Sequence, residues 1–292
     1  MHPFILHNDR VLPADSKVLA PGQVGLLSGW GVFSTLRVAD GVLFAWERHW
    51  ARMKHDAAQL RVPFPEDPEP VKRSLGRLVE ANGAYSATLR IVVVRNRGGF
   101  WEGPGLDRGY DLMALTTNPK EWGEGARLAV VPQARHSACA FAGAKSLSWS
   151  MNLCWLEMAQ ASGYDEALLL NERGNVSECT SANIFMARGG SVYTPPLSSG
   201  CLPGVTREVL LSQIRVPGIQ IEEKEFGLED IETADEVFIT STTRNLLPVR
   251  SVEGLQVRLE GEAHLLLGSV FASYVEAYVA AHKEAAPAAG KN

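Results

Sequence analysis

Residues 163–211 read GYDEALLLNERGNVSECTSANIFMARGGSVYTPPLSSGCLPGVTREVLL, and this stretch decides the fold. Residues 167–170 and 176–179 flank a turn at 171–175, which predicts a hairpin. Residues 183–187 and 192–194 flank Gly189-Gly190, which predicts a second hairpin. Pro203 and Gly204 then bring the backbone round sharply before a helix predicted over 206–213. Glu178 therefore falls on a strand and Thr206 at a helix start.

Working outward, the same alternation of strand and helix fills the chain. Toward the N-terminus, residues 4–6 and 10–12 form a small hairpin around His7-Asn8-Asp9. GVFSTLRVA (31–39) alternates apolar and polar residues, turns at Asp40-Gly41 and continues over 42–45. Helical periodicity covers 47–60 and 69–82, the latter ending at Gly83 in the C′ position. SATLRIVVVR (86–95) is a β-branched strand with a neighbour at 110–115. Residues 117–125 (TNPKEWGEG) read as a polar connector, and strand structure resumes over 127–132. Residues 263–281 form a C-terminal helix. There is no repeat of fixed period. The expected fold is α/β with two domains. Residues 1–116 form a smaller N-terminal domain, 117–125 the connector, 126–283 a larger C-terminal domain and 284–292 a disordered tail. The cleft between the domains is the default ligand site.

Composition excludes several function classes. Of the 292 residues, 46% are hydrophobic and 21% charged, which is ordinary for a soluble globular chain. The formal net charge of −5, without basic clusters, argues against nucleic acid and anionic membrane surfaces. The N-terminus lacks a basic region followed by an apolar core, so no signal peptide is expected. No apolar run approaches the roughly 20 residues that span a bilayer. The four cysteines (Cys139, Cys154, Cys179, Cys201) form no CxxC pair and have no histidine at zinc spacing. They read as reduced thiols, mostly core filler, in a cytoplasmic protein. No metal site is expected.

Five pieces could carry chemistry, and each has a plainer reading. Lys145 in FAGAKSLSWSMN has no acid within ten residues on either side. It is either a solvated lysine at a helix start, the better expectation for a single lysine, or a desolvated amine able to attack a carbonyl. Thr206 is either a plain N-cap or part of a phosphate-binding helix N-terminus. The hydroxyl run Thr240, Ser241, Thr242, Thr243 is either a self-satisfied loop or an anion site. Glu178 is either a solvent-facing strand residue or the partner of a heterocyclic N–H⁺. Arg52 is either a solvated helix arginine or a phosphate donor. Taken singly, the plain readings lead. Their order along the chain supplies an amine, a carboxylate and three phosphate-type sites, which is the set pyridoxal phosphate needs.

With these motifs in hand, the chain resembles the fold-type IV pyridoxal-phosphate enzymes: branched-chain aminotransferases, D-amino acid aminotransferases and aminodeoxychorismate lyase. The likeness runs from about Asp9 to Val249, and its most specific part is the order of hairpin, glutamate, SANIF, YTPP and GVTR in 163–211. The resemblance implies a D-amino acid aminotransferase-like two-domain fold with pyridoxal 5′-phosphate in the interdomain cleft, and a homodimer. It implies that Lys145 is the Schiff-base lysine, that Glu178 faces the pyridine nitrogen, and that Arg52, Val205, Thr206, Ser241 and Thr242 hold the phosphate. Leu202 would pack on the ring. Phe33, Arg37, Arg95, Arg97 and Thr243 would shape the substrate pocket. Asn152 matches a family asparagine, but Trp149 and Ser150 stand where a tyrosine is frequent. Phe33-Ser34-Thr35 lacks a common glutamate.

The implied activity is transamination between an amino acid and a 2-oxo acid. Phe33, Trp30, Phe100 and Trp101 favour apolar side chains, so a branched-chain aminotransferase is the first expectation. Aminodeoxychorismate lyase and a D-amino acid or R-amine transaminase are the alternatives. A binding module that has lost the chemistry is disfavoured by the presence of both Lys145 and Glu178.

Overall fold

The structure is a computed structural model that describes residues 1–103, 107–258 and 260–284. The chain divides into two compact units. The first comprises Met1–Lys120, Lys145–Ser148 and the described residues from Ala272 on; the second comprises Glu121–Ala144 and Trp149–Phe271. The change-over after Lys120 lies inside the expected connector. The expected division had placed residues 145–148 and the last helical turns in the C-terminal domain, and here they count with the first unit. All but the first residue of the expected tail, 284–292, lies outside the described residues.

The first unit contains β1 (Phe4–His7), β2 (Arg10–Pro13), α1 (Val24–Ser28), β3 (Gly31–Ala39), β4 (Val42–Leu43), α2 (Trp46–Gln59), α3 (Pro68–Ala81), β5 (Ala87–Arg95) and β6 (Tyr110–Thr117). Its strands form an antiparallel sheet of order β2-β1-β6-β5-β3-β4. Period-two alternation divides β3 between two faces. Val32, Leu36 and Val38 join the core with Trp46, Trp50 and Met53 of α2 and Leu75 and Leu78 of α3. Phe33, Thr35 and Arg37 point the other way, opposite Val92 and Arg90 of β5. α3 starts where Asp67 accepts the N–H of Glu69 ahead of Pro68, and stops before Gly83, whose φ of +57° continues the chain in the left-handed region.

The buried stripe of α2 is Trp46, His49, Trp50, Met53, Asp56 and Ala57, the spacing of one helix face. Two of its six members are polar, and both belong to the site described below.

The second unit contains β7 (Ala126–Arg135), α4 (Ser150–Ala161), β8 (Glu166–Asn171), β9 (Val176–Cys179), β10 (Asn183–Arg188), β11 (Ser191–Thr194), α5 (Val205–Ser212), β12 (Gln220–Glu223), α6 (Leu228–Thr233), β13 (Glu236–Ser241) and β14 (Asn245–Val252). Its mixed sheet runs β12-β11-β10-β13-β14-β7-β8-β9. β7 is parallel to both neighbours, so β8 is covered on both faces and reads as an unbroken apolar run. Leu168 and Leu170 enter one core with Ile184, Met186 and Ile239. Ala167 and Leu169 meet Ala159 of α4 on the other side.

The last helix, α7 (Ala263–Glu284), departs from one expectation. Its stretch Ala263–Lys283 has a mean hydropathy of 1.3, so by length and composition it could cross a membrane. Polar residues spaced along it hide this in a run count. From Ala272 on, it packs on the first unit. Tyr274 and Tyr278 meet the Phe44 ring edge-on, Tyr278 Oη donates to Glu47 at 2.6 Å, and Lys283 pairs with Asp40 at 3.0 Å. The cysteines also divide: Cys179 and Cys201 are buried, whereas Cys139 and Cys154 are exposed.

Candidate active site

Lys145 is placed by strand pairing, and the helix-start reading fails because α4 begins only at Ser150. Phe33 donates its backbone N–H to Lys145 O at 3.1 Å, and Leu147 donates to Gly31 O at 2.9 Å. Val32 and Ser146 form the bridge between these bonds. Residues 145–147 thus extend the edge of the sheet beside β3. The Lys145 backbone N–H is held separately, by Asp56 Oδ2 of α2 at 3.2 Å. The side chain is half-buried, and its Nζ lies 4.7 Å from the centre of the Phe33 ring. The Arg90 guanidinium lies 4.6 Å from the same ring.

On the opposite face of β3, α2 covers a polar group. Arg52 Nη2 donates to Ser34 Oγ at 2.7 Å, and Ser34 Oγ is 2.8 Å from His49 Nδ1. His49 is 1% exposed, and its Nε2 has no hydrogen-bond partner among the described residues. Burial, then the positive charges of Arg52 and Lys145, hold the His49 pKa well below the ordinary histidine value, so the ring is neutral. Asp56 shows the converse: burial outweighs its hydrogen bond and nearby cations and raises its carboxyl.

In the second unit Glu178 sits on β9 and is buried. Its Oε1 accepts from Arg135 Nε at 2.9 Å and its Oε2 from the Leu202 N–H at 3.0 Å. Arg135 also reaches Asn152 Oδ1 at 3.3 Å, and Asn152 donates to Thr180 O at 2.6 Å. Glu178 and Leu202, both named by the family resemblance, are therefore in direct contact. α5 follows, with Gly204 as its N-cap and no side chain capping the helix. A Cβ at Gly204 would overlap Asn183 Oδ1, so a larger residue there would force the Asn183 side chain to move. Val205 and Thr206 are buried at the helix start.

The hydroxyl run ends β13 and is pinned by a buried ion pair. Arg244 donates its backbone N–H to Ser241 Oγ at 3.2 Å and its Nη2 to Glu166 Oε2 at 2.9 Å. Its guanidinium also stacks 3.8 Å from the Trp122 ring centre. Glu166 further accepts from Ser181 Oγ at 2.5 Å and from Thr180 Oγ1. Thr243 contributes a 3.4 Å contact to Ser241 Oγ and a carbonyl to Trp122 Nε1. Thr240 Oγ1 is buried without a partner among the described residues.

The two arginines of RNRGGFW are engaged locally. Arg95 lies 4.0 Å over Trp30 and donates to the carbonyls of Arg61 and Arg97. Arg97 pairs with Glu102 at 3.1 Å. Arg37 is half-buried on the Phe33 face of β3. Arg90, His49, Asp56, Arg135 and Arg244 were not singled out from sequence. Only the 49/56 spacing on the apolar stripe of α2 signalled any of them.

A model of the amino-transferase class IV family matches residues 31–252. The chain belongs to the class IV aminotransferases. Relatives of this aminotransferase include a Methanocaldococcus jannaschii protein provisionally named as a branched-chain-amino-acid aminotransferase. It is 32% identical over 79% of this chain and 81% of its own. D-alanine aminotransferase of Bacillus licheniformis is 29% identical over 86% and 88%. The branched-chain aminotransferase of Thermoproteus uzoniensis, solved with norvaline, superposes with a TM-score of 0.85 at 25% identity, over 95% and 96%. A 4-amino-4-deoxychorismate lyase fold from Legionella pneumophila superposes at 0.81 with 24% identity, over 90% and 97%. The fold is therefore the two-domain fold-type IV architecture, and the enzyme is a transaminase.

The family's cofactor is pyridoxal 5′-phosphate, and the residues present suit it. Glu178 has two protein donors, and a carboxylate offers about four lone-pair sites. The uncapped start of α5 leaves N–H groups for an anion. Thr240 supplies a hydroxyl beside Ser241 that has no partner among the described residues. Lys145 supplies an amine beside an apolar ring.

Proposed function

We propose that this transaminase moves the amino group between branched-chain or other apolar amino acids and 2-oxo acids. The observation that carries the choice is the Phe33 ring beside Lys145 Nζ, which puts an apolar surface next to the amine. The names of its relatives support it. Arg90, over the same ring, is the cation this reading assigns to a carboxylate of the acid.

Pyridoxal phosphate, when bound, supplies an aldehyde carbon for the amino group and a ring that takes up the electron pair of the Cα–H bond. The chain supplies the rest. Lys145 Nζ would hold the cofactor's aldehyde carbon, and as a free amine it would take the α-proton of the substrate and return it. Glu178, held by Arg135 at 2.9 Å, would face the pyridine nitrogen of the bound cofactor. Arg52, Val205, Thr206, Ser241 and Thr242 would hold its phosphate. Leu202 would pack on its ring. Arg37 and Thr243 border the substrate, while Arg95 and Arg97 shape the loop that follows β5. A cytoplasmic homodimer belongs to the same reading, supported by Met151, Leu153 and Met158 exposed on α4.

The test offers L-leucine, D-alanine and aminodeoxychorismate to the purified enzyme. Keto acid from L-leucine is expected. Turnover of D-alanine alone, or release of aminobenzoate, would replace this reading with the D-amino acid transaminase or the lyase. Borohydride should bleach the enzyme's cofactor absorbance and leave the adduct on Lys145.

A further inference from the structure

We propose that Asp56 is a positioning residue of this enzyme, holding the root of the Lys145 side chain by its backbone N–H. The proposal rests on the reading of Lys145 as the cofactor-bearing amine. An ionisable group on the apolar stripe of a helix is costly unless it has partners. Asp56 is 1% exposed in that stripe, between Met53 and Ala57, which are both fully buried. The partner that explains it is the N–H of Lys145, 3.2 Å from Oδ2. Arg52 and Lys145 add positive charge that counters part of the burial.

The chemical argument is about reach. A lysine amine ends a chain of rotatable bonds, and a misplacement of about 1 Å can cost about 100-fold in rate. Lys145 follows a loop in which Gly143 has a φ of +77°, so the preceding backbone is not held by a helix. Strand pairing holds Lys145 from its carbonyl side, through Phe33 N. Asp56 holds the other side of the same residue. With both peptide groups fixed, the direction of the Cα–Cβ bond is fixed, and the Phe33 ring confines the far end. The side chain then reaches its carbonyl target with fewer conformations to lose. The groups facing Asp56 are Arg52 and His55 on its own helix and Lys145 on the added strand.

The test uses the full-length holoenzyme and three forms: wild type, Asp56→Asn and Asp56→Ala. Asparagine keeps an acceptor oxygen at nearly the same volume, and alanine removes it. Two quantities are read: amide hydrogen exchange in a peptide spanning Lys145, and the stopped-flow absorbance change when L-leucine displaces Lys145. Alanine should raise exchange at Lys145 and slow the displacement about ten-fold. Asparagine should restore both most of the way. Wild-type exchange and rate in the alanine form, or an asparagine form as impaired as alanine, would overturn the role. If the alanine form does not fold, an unprotected Lys145 amide in wild type overturns it alone. Peptide mapping after borohydride separates the two claims: an adduct on another lysine sinks the reading of Lys145, whereas an adduct on Lys145 with an indifferent Asp56→Ala sinks only this inference.

Discussion

Arg135 Nε meets Glu178 Oε1 at 2.9 Å, and both side chains are largely shielded from water. The guanidinium fixes the orientation of the carboxyl group, which has lone pairs left for a third donor. Glu178→Gln removes that charge with little change of shape. We expect transamination of L-leucine to fall by roughly 100-fold, the scale of preorganised electrostatic groups. An unchanged kcat would remove Glu178 from the mechanism.

Lys145→Ala leaves the strand pairing of 145–147 intact, because Lys145 bonds Phe33 N and Asp56 Oδ2 through its own backbone atoms. Folding should survive and turnover should not. Circular dichroism and keto acid formation measure the two. A mutant that transaminates at the wild-type rate refutes the assignment of the amine.

His49 gives a pH dependence of stability. Its folded pKa lies well below the unfolded value near 6.5, so the unfolded chain binds the proton first as pH falls. Its contribution is therefore present above pH about 6.5 and is lost on acidification from there toward the folded pKa. Thermal melts between pH 7.5 and 5 should show wild type losing more stability than His49→Gln. Parallel losses in the two proteins would contradict this.

Glu166 and Arg244 form an ion pair in which neither side chain is more than 4% exposed. Breaking such a pair from one side leaves a buried charge, at a cost of about 3–5 kcal/mol. Glu166→Gln should lower the denaturant midpoint accordingly. It should also weaken cofactor retention, since Arg244 holds Ser241. A midpoint within error of wild type would show that Arg244 finds solvent instead.

Much of this was legible in the sequence, for identifiable reasons. The hairpins of 166–194 announce themselves by apolar runs and glycine turns, and α2 and α3 by periodicity. Glu178 and Leu202 were picked out at a separation of 24 residues and prove to touch. α4 was missed because its exposed apolar residues blur the helical stripe. β14 was missed because Pro248 and the preceding polar run mask a strand. The partners of the candidate residues were the hardest part. Asp56, Arg90 and Arg135 act through strand register and cross-element contacts, which depend on residues distant along the chain. Arg95 and Arg97 came from the family resemblance, which carries no sign of their local stacking and pairing.

Between Glu121 and Phe271, only the four residues Lys145–Ser148 count with the first unit. Anyone grafting halves of this protein onto a relative inherits the consequence. A donor segment starting after Lys120 carries the amine with it, while Phe33 and Asp56, which hold that amine's backbone, stay with the recipient. Chimaeras cut at that seam should therefore fail at the lysine even when each half is sound, and transplanting residues 33 and 56 together with 145 should rescue them.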